Sequence, residues 1–427
     1  MVAKPVPKPD TPLTTAESAL VALFGERSGH LPGNADAVMA RDRAMQTLKR
    51  HRLPTRRIEA WHYTDLRRLL ADVPDAQTEG SAATVPSLLE GAHRFAFVDG
   101  ELAERADIDG VQHEAVADGL RADVGGIALD EPDPDDAVAL INTAFVSDGL
   151  RLTIADGASV DRPIEIQAAH NGGQVHTRNI VSAGAGARAT VIDRHVGTGE
   201  PVLASNMTEL TVREGADVTW IIVQEQGAVA THLSSLKLTL EKDARATVFI
   251  ANFSGKLVRQ EVHAVSQGEG SELNFRAINL IGDASHCDVT LELDHLVPNT
   301  VSTETVRNVV TGKGQGVFQG QIRVAQPAQK TDAQMACNTL LLSDHGGFST
   351  KPELEIFADD VVCAHGATVA EIDHDHLFYL MARGITEKTA RGLLIEAFVD
   401  EIVEELGDEA LIEALEARIG AWLQEHG

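Results

Sequence analysis

The spacing of hydrophobic residues divides the chain into helical ends and a β-rich centre. Near the start, TTAESALVALFGE and ADAVMARDRAMQTLKRH carry apolar residues three to four positions apart with little β-branching, which predicts amphipathic helices. The intervening SGHLPGN is a helix-breaking loop. We therefore expect a helical amino-terminal region over residues 1–75. The polar, proline-containing stretch that follows predicts a linker and mixed region over residues 76–148.

From residue 149 to residue 370 the pattern changes to that of strands. Short bursts such as LRLTI, DVTWIIV, LKLTL, ATVFI and VTLEL alternate apolar and polar residues, and no helical pattern separates them. This part of the chain is therefore predicted to be a β-core without helical crossovers.

A weak repeat runs through the strand region. Gly or Asp followed by a small residue precedes a strand at five places spaced 27 to 29 residues apart, centred on Ala158, Ala187, Ala216, Ala244 and Ser271. Such spacing is typical of a solenoid, in which each repeat buries its apolar face only against the next. We favour a β-solenoid because five units hold the register. A β-sandwich, with turns about every 8 to 12 residues, is the alternative. The terminal strands of a solenoid need a cap or a partner chain.

After the strands the helical period returns, which predicts a C-terminal helical domain over residues 371–427. Asp373 is the expected N-cap of its first helix. In the next helix, Leu394, Phe398 and Ile402 belong to an apolar face wider than packing against one neighbour requires. Such a face either packs between two elements of its own chain or docks another protein, and the pattern leaves both open.

Composition and charge narrow the function classes. The 427 residues carry a formal net charge of −28 and no Lys/Arg cluster, so nucleic acid is not an expected partner. No run approaches the roughly 18 apolar residues of a membrane span, and the start of the chain lacks the apolar core of a signal peptide. We expect a cytoplasmic protein without a membrane partner. GxxxxGK[ST], HExxH and GxSxG motifs are also absent.

The most interesting chemistry lies near the end of the predicted strand region. Cys363 stands two residues before His365, so both side chains project from one face of a strand. A thiolate beside an imidazole suits metal binding, although two ligands are half of a tetrahedral site. A buried, inert cysteine beside a hydrogen-bonded histidine is the alternative. The other cysteines, Cys287 and Cys337, form no CxxC pair with it.

Two other histidine clusters are weaker candidates. His374 and His376 diverge by roughly 200° at the start of a helix and cannot hold one ion between them. His286 and Cys287 fall on opposite faces of a strand, with His295 further along it. We expect no ligand role for either cluster.

The motifs resemble those of a known family. DDVVCAHGATVAEIDHDHLFYLMARGITEKTARGLLIEAF and VFQGQIRVAQPAQKTDAQMACNTLLLS are similar to the carboxy-terminal signature and the preceding core motif of the SufB/SufD family of iron–sulfur cluster assembly proteins. LPTRRIEAWHYTDLRRLL and INTAFVSDGLRLTIADGASVDRPIEI resemble the SufD branch in particular. SufB relatives usually carry cysteine motifs in their amino-terminal portion, whereas this chain has no cysteine before Cys287.

The resemblance implies a mainly β protein, a right-handed parallel β-helix flanked by N-terminal and C-terminal helical regions. It implies a non-catalytic scaffold subunit that pairs with SufB through the β-helix and binds the SufC ATPase through its C-terminal helices, where Leu394, Phe398 and Ile402 are the expected contacts. His365, and with it Cys363, is implied to lie at the SufB interface, where His365 binds iron transiently during formation of a nascent cluster. No tightly bound cofactor is implied.

Two other functions stay open. A SufB-type scaffold that holds a cluster as a homodimer is one, although the chain has few cysteines, and a homodimer of the isolated chain is open in either case. A carbohydrate-active β-helix enzyme is the other. The three Trp and two Tyr of the chain offer few sugar-stacking platforms, which counts against such an enzyme.

Overall fold

A computed structural model describes residues 12–75 and 82–426. The N-terminal region contains helices α1 (Thr15–Arg27), α2 (Ala35–His51) and α3 (Leu66–Leu69). Helix α1 begins with a capping box, because the Thr14 hydroxyl accepts the Glu17 N–H at 3.2 Å and the Glu17 carboxylate accepts the Thr14 N–H at 2.8 Å. Residues 1–11 and 76–81, which belong to the predicted helical and linker regions, lie outside the described residues.

The described part of the predicted linker and mixed region is folded. Its elements are β1 (His93–Val98), β2 (Glu101–Glu104), β3 (Val111–Ala115), α4 (Val116–Arg121) and α5 (Ala137–Phe145). Strand β1 continues the large sheet in parallel, whereas β2 and β3 join antiparallel at the edges. These two strands therefore end the stack on this side.

The prediction of a parallel β-solenoid with helices at both ends is confirmed. Its strands form about eight turns. They are β4 (Asp148–Ile154), β5 (Ile164–His170), β6 (Gly173–Ala183), β7 (Arg188–Gly197), β8 (Val202–Val212), β9 (Asp217–Glu225), β10 (Thr231–Leu240), β11 (Arg245–Asn252), β12 (Leu257–Ser266), β13 (Glu272–Ile281), β14 (His286–His295), β15 (Val301–Val310), β16 (Gln315–Val324), β17 (Asp332–Leu341), β18 (Gly347–Ile356) and β19 (Val362–Ala370). The odd-numbered strands from β5 to β19, together with β1 and β2, make a ten-stranded sheet. The even-numbered strands from β4 to β18, together with β3, make a nine-stranded sheet.

The repeat in the sequence corresponds to one corner of the solenoid. Backbone N–H groups of successive turns bond to the carbonyl oxygens of Ala187, Ala216 and Ala244 at 2.8 to 2.9 Å. These three alanines are fully buried, and each follows a residue with positive φ, such as Gly215 at 65° and Asp243 at 54°. Gly, Asn and Asp adopt this left-handed conformation most readily, which explains why Gly or Asp recurs before the small residue.

The inward faces of the two sheets enclose two kinds of interior. Most of it is apolar and includes the fully buried Trp220 and Phe318. Along one side, a row of amides crosses the strands, with Asn252 donating to Asn279 at 2.7 Å and Asn279 donating to Asn308 at 2.8 Å. Buried amides that bond to one another avoid the cost of unsatisfied polar atoms, so this row stabilises the register of the turns.

Helices cover the outer face of each sheet. Helix α5 lies on the nine-stranded sheet, and the Phe24 ring of α1 packs edge-on against Phe145 with centroids 5.9 Å apart. On the same side, the buried Arg259 guanidinium stacks on Trp61 at 3.8 Å and forms an ion pair with Asp288. These contacts fix the N-terminal region to the solenoid.

The C-terminal helices cover the outer face of the ten-stranded sheet. They are α6 (His374–Met381), α7 (Glu387–Val403) and α8 (Glu409–His426). The predicted N-cap is confirmed, since the Asp373 carboxylate accepts the N–H groups of Asp375 and His376 at 2.8 and 3.0 Å. Helix α7 also bonds to the strands through an ion pair between Arg307 and Glu401 at 2.6 Å.

Candidate functional site

The solenoid is uncovered at its C-terminal end. Strand β19 is the last strand of the ten-stranded sheet and β18 is the last strand of the nine-stranded sheet, and within residues 12–75 and 82–426 no further strand pairs with either. Every residue of β19 except Cys363 is exposed, and the side chains of Phe357 and Val362 are 56% and 62% exposed. This end, which we call the open end, is formed by β18, β19 and the residues between them.

Cys363 and His365 lie in β19 at the mouth of the interior. Cys363 is aligned with Ala333 of β17 and His365 with Met335, and both β17 side chains belong to the apolar core. Because side chains alternate along a strand, Cys363 and His365 face the interior side as well. The structure therefore brings the thiol and the imidazole to the same face of one strand, with Cys363 half-buried and His365 exposed.

The environment of Cys363 keeps its sulfur protonated. Burial raises the pKa of the thiol, and the negative charges of Asp332 and Glu304 raise it further, while a hydrogen bond with the Ala333 backbone lowers it. A thiolate is needed to bind a metal ion or attack sulfur. Cys363 becomes a ligand only when a cation or a positively charged group arrives beside it.

An unexpected acidic residue lies two strands away from this pair, on the same interior face of the sheet. Glu304 of β15 is aligned with Met335, which is aligned with His365, so the three form one row across neighbouring strands. Glu304 is fully buried, and neither carboxylate oxygen has a hydrogen-bond partner among the described residues. Burial raises its pKa to about 8, an effect that Ser302 and Arg276 offset only in part. Sequence reasoning missed Glu304, although it stands two residues before the apolar Val306 in an alternating strand.

Cys337 also lies near the open end, deeper inside. It is buried in β17, and its sulfur lies 3.5 Å from the Asn308 amide nitrogen at the end of the amide row. Burial raises the pKa of the Cys337 thiol to about 11. In the described ranges, no three His, Cys, Asp or Glu side chains are arranged to hold a metal ion. A metal ion at the open end would therefore need further ligands, from side-chain movement or from a partner.

The other histidines occupy different settings. His374 and His376 are exposed at the start of α6. His286 is buried, and its ring nitrogen lies 2.8 Å from the Thr64 hydroxyl of the N-terminal region. Burial raises the pKa of the neighbouring Cys287 thiol strongly. None of these residues lies at the open end.

The helical domain presents a second exposed surface. Of the predicted contacts, Ile402 is fully buried against its own chain, while Leu394 and Phe398 are half-buried at the edge of the same cluster. The exposed apolar side chains lie instead on α6, where Phe378 is 72% exposed, and at Leu393 of α7. In the sequence, the exposed apolar side chains of α6 are indicated by the run LFYLM, which has more apolar residues than one helix face can bury.

Comparison with known proteins places these features in context. The protein-family model for the SufBD core domain, of the SUF system for FeS cluster assembly, matches residues 165–398 of the sequence. The chain is 30% identical to the iron–sulfur cluster assembly protein SufD of Escherichia coli (strain K12), over 88% of the chain and 90% of that protein. It is 28% identical to a SufBD family protein of Synechocystis, over 88% and 89%. It is 25% identical to SufB of Bacillus subtilis (strain 168), over 66% and 62%.

Proposed function

The chain belongs to the SufB/SufD family of iron–sulfur cluster assembly proteins, and we propose that it serves there as the SufD-type scaffold subunit, pairing with SufB at the open end and binding the SufC ATPase through its helical domain. In this proposal the protein works in the cytoplasm and catalyses no reaction of its own. None of the helices in the described ranges is long and apolar enough to cross a membrane.

The open end is the observation that supports pairing with SufB. An uncovered edge strand presents backbone N–H and C=O groups that another strand can bond. Val362 donates its N–H inward to Thr331 at 2.9 Å, so the alternate groups of Cys363, His365 and Ala367 point away from β17. SufB is a relative over 66% of this chain and would offer similar edge strands. Pairing would continue both sheets from one subunit into the other.

Pairing would also complete the chemical site. The open end offers an imidazole at His365 and a thiol at Cys363, and a covering subunit would exclude water and supply further ligands. A neutral imidazole is a suitable ligand for iron, and a thiolate suits iron or a cluster. Iron and sulfide are substrates that these residues hold for a time. In this proposal the sulfur arrives on SufB as a persulfide.

The helical domain supports binding of SufC and coupling to the strands. The exposed apolar side chains of Phe378 on α6 and Leu393 on α7 give an ATPase apolar groups to contact. Helix α7 and the short turn after it are tied to the strands by Arg307–Glu401 and Arg276–Glu405, both at 2.6 Å. Movement of these helices by SufC would therefore reach β15 and β13, which lie two and three strands from β19 in the same sheet.

One experiment separates the two interfaces. The tagged chain is co-expressed with SufB and SufC, with Ala367→Pro in the first variant and a stop after residue 370 in the second. Ala367→Pro removes an outward N–H without breaking a bond to β17, so we expect a folded chain that recovers SufC and loses most SufB. The truncated chain is expected to recover SufB without SufC.

Ala364→Pro is the matched control, because the Ala364 N–H points toward β17 and its loss lowers the thermal midpoint of the chain itself. Full recovery of SufB by Ala367→Pro would reject pairing through β19. Recovery of a second copy of this chain in place of SufB would favour a homodimeric scaffold.

A further inference from the structure

The geometry points to Glu304 as a further metal-binding residue: we propose that its carboxylate, with His365 and Cys363, holds a divalent first-row metal ion at the open end once a partner covers it. The inference rests on the proposed function for the covering partner. It goes beyond that function because it adds an oxygen ligand from inside the solenoid to the nitrogen and sulfur ligands of the edge strand.

Glu304 differs from the other buried acids of the described chain. Glu17, Glu165 and Asp288 each accept hydrogen bonds from backbone or side-chain donors, such as Leu53 N–H to Glu17 at 2.9 Å and Leu88 N–H to Glu165 at 2.6 Å. Among the residues that the structure describes, neither oxygen of Glu304 has such a partner. A buried polar group without a partner costs stability, and a glutamine or an apolar residue would fill the space with less cost. An unpaired carboxylate is therefore a feature that folding does not explain.

The position of Glu304 fits a ligand that enters from the open end. Its row continues through Met335 to His365, and with strands about 4.8 Å apart the Cα atoms of Glu304 and His365 lie about 10 Å apart. Cys363 stands two residues before His365 on the same face of β19, so Glu304, Cys363 and His365 all face the same interior space. Met335, between them, has a flexible side chain and a thioether sulfur that can shift aside.

The three side chains do not yet converge in the uncovered chain, where His365 is exposed. Side-chain rotation on binding is common at interfaces, and covering β19 would turn the imidazole toward the interior. Oxygen, nitrogen and sulfur ligands together suit iron, cobalt or zinc in the divalent state. Binding exchanges the carboxyl and thiol protons for the metal ion and involves no electron transfer.

The test uses Co²⁺, whose absorption spectrum reports its ligands, titrated under anaerobic conditions into the full-length chain co-purified with SufB. We expect Glu304→Gln to weaken Co²⁺ binding about tenfold or more, the loss that follows from one missing ligand. Glu355→Gln is the matched control, since it makes the same charge change on the exposed, outward side of β18. It is expected to leave Co²⁺ affinity unchanged.

A stability measurement distinguishes a ligand from a structural residue. Without metal, Glu304→Gln is expected to raise the thermal midpoint of the chain by about 2 °C, because it removes a buried, unpaired carboxyl. A structural role predicts a lower midpoint. Glu304→Met, which matches the surrounding apolar side chains, serves as the second variant where the amide disturbs folding.

The outcomes also separate this inference from the proposed function. Unchanged Co²⁺ affinity in Glu304→Gln, together with loss of affinity in His365→Ala, would reject Glu304 and keep the SufB-dependent site. A lower midpoint with unchanged Co²⁺ affinity would reject it too. Failure of the unaltered chain to recover SufB at all would instead reject the proposed function.

Discussion

The two ends of the solenoid differ in how their last strands are covered. At the N-terminal end, β2 and β3 turn antiparallel and are held by ion pairs, Arg94 to Glu104 at 2.6 Å and Arg151 to Glu114 at 2.7 Å. At the C-terminal end, β18 and β19 pair with no further strand of the described chain, and Glu304, on the interior side of β15, has no hydrogen-bond partner among the described residues. One end is therefore closed by the chain itself, and the other is open.

This difference separates stability from function along a single repetitive core. At the closed end, Asp148 and the two ion pairs of the cap strands are paired, so they contribute to folding. At the open end, the Cys363 thiol is protonated, His365 is exposed, and Glu304 has no hydrogen-bond partner among the described residues, which leaves these three groups available to bind a ligand. Substitutions at the two ends should therefore have opposite consequences for the isolated chain.

The largest difference is expected between two aspartates. Asp148 at the closed end is buried and accepts the N–H groups of Leu102, Ala117 and Gly149 at 2.9 to 3.2 Å. Asp148→Ala leaves those donors without an acceptor and is expected to lower the free energy of unfolding by about 3 kcal/mol. Asp332→Ala, at an exposed position of β17 near the open end, is expected to change it by less than about 0.5 kcal/mol.

Chemical denaturation of both variants in parallel provides the measurement. Equal losses of unfolding free energy in Asp148→Ala and Asp332→Ala would contradict the view that the closed end is where polar pairing stabilises the solenoid.

The same contrast shows what the sequence can and cannot reveal. The repeat around Ala187 and Ala216 was predictable because each corner needs a residue with positive φ followed by a small buried one. The cap strands β2 and β3 were not, since they are four and five residues long and too short to show a period. Ile402 left two possibilities open because the sequence does not show which helix face meets the sheet.

The candidate site was predictable to a similar extent. Cys363 and His365 could be placed on one face of a strand from their spacing alone. Glu304 could not be connected with them, because 60 residues separate Glu304 from His365 and their alignment depends on the register of three strands. The exposure of Phe378 could not be predicted either, because it depends on which helix face the solenoid leaves uncovered.

The two ends also differ in how their residues make stability depend on pH. His176, in β6 near the closed end, is buried between Phe145 and Ser205, and burial, together with Arg27, Arg41 and His170, lowers its pKa to about 3. The unfolded chain takes up a proton on this residue below about pH 6.5, whereas the folded chain does not until about pH 3. Stability is therefore lost as the pH falls through this window, by about 2 kcal/mol between pH 6.5 and pH 5.

Thermal midpoints of the unaltered chain and of His176→Phe, recorded from pH 7.5 to pH 5, test this dependence. The phenyl ring can stack on Phe145 but has no proton to gain, so the variant should show a smaller decline. Identical pH profiles would show that His176 does not contribute to acid sensitivity. Loss of the hydrogen bond between position 176 and the Ser205 hydroxyl, which keeps the Asn142 amide as a partner, lowers the midpoint at every pH and leaves the slope unaffected.

A third difference has the opposite sign and belongs to the open end. The pKa of Glu304 is raised to about 8 by burial, while that of a glutamate in the unfolded chain is near 4.5. Between these values the folded chain binds one more proton than the unfolded chain, so stability falls as the pH rises, by at most about 1.4 kcal/mol per pH unit, and levels off above pH 8.

Glu304→Gln should flatten the profile of stability against pH between pH 6 and pH 8, whereas Glu355→Gln should retain it. Because the carboxylate of the metal-free chain has no hydrogen-bond partner among the described residues, a covering subunit that brings a cation to it should remove this pH dependence as well. A profile that is already flat in the unaltered, isolated chain would show that Glu304 is paired in solution, and the open end would then resemble the closed one.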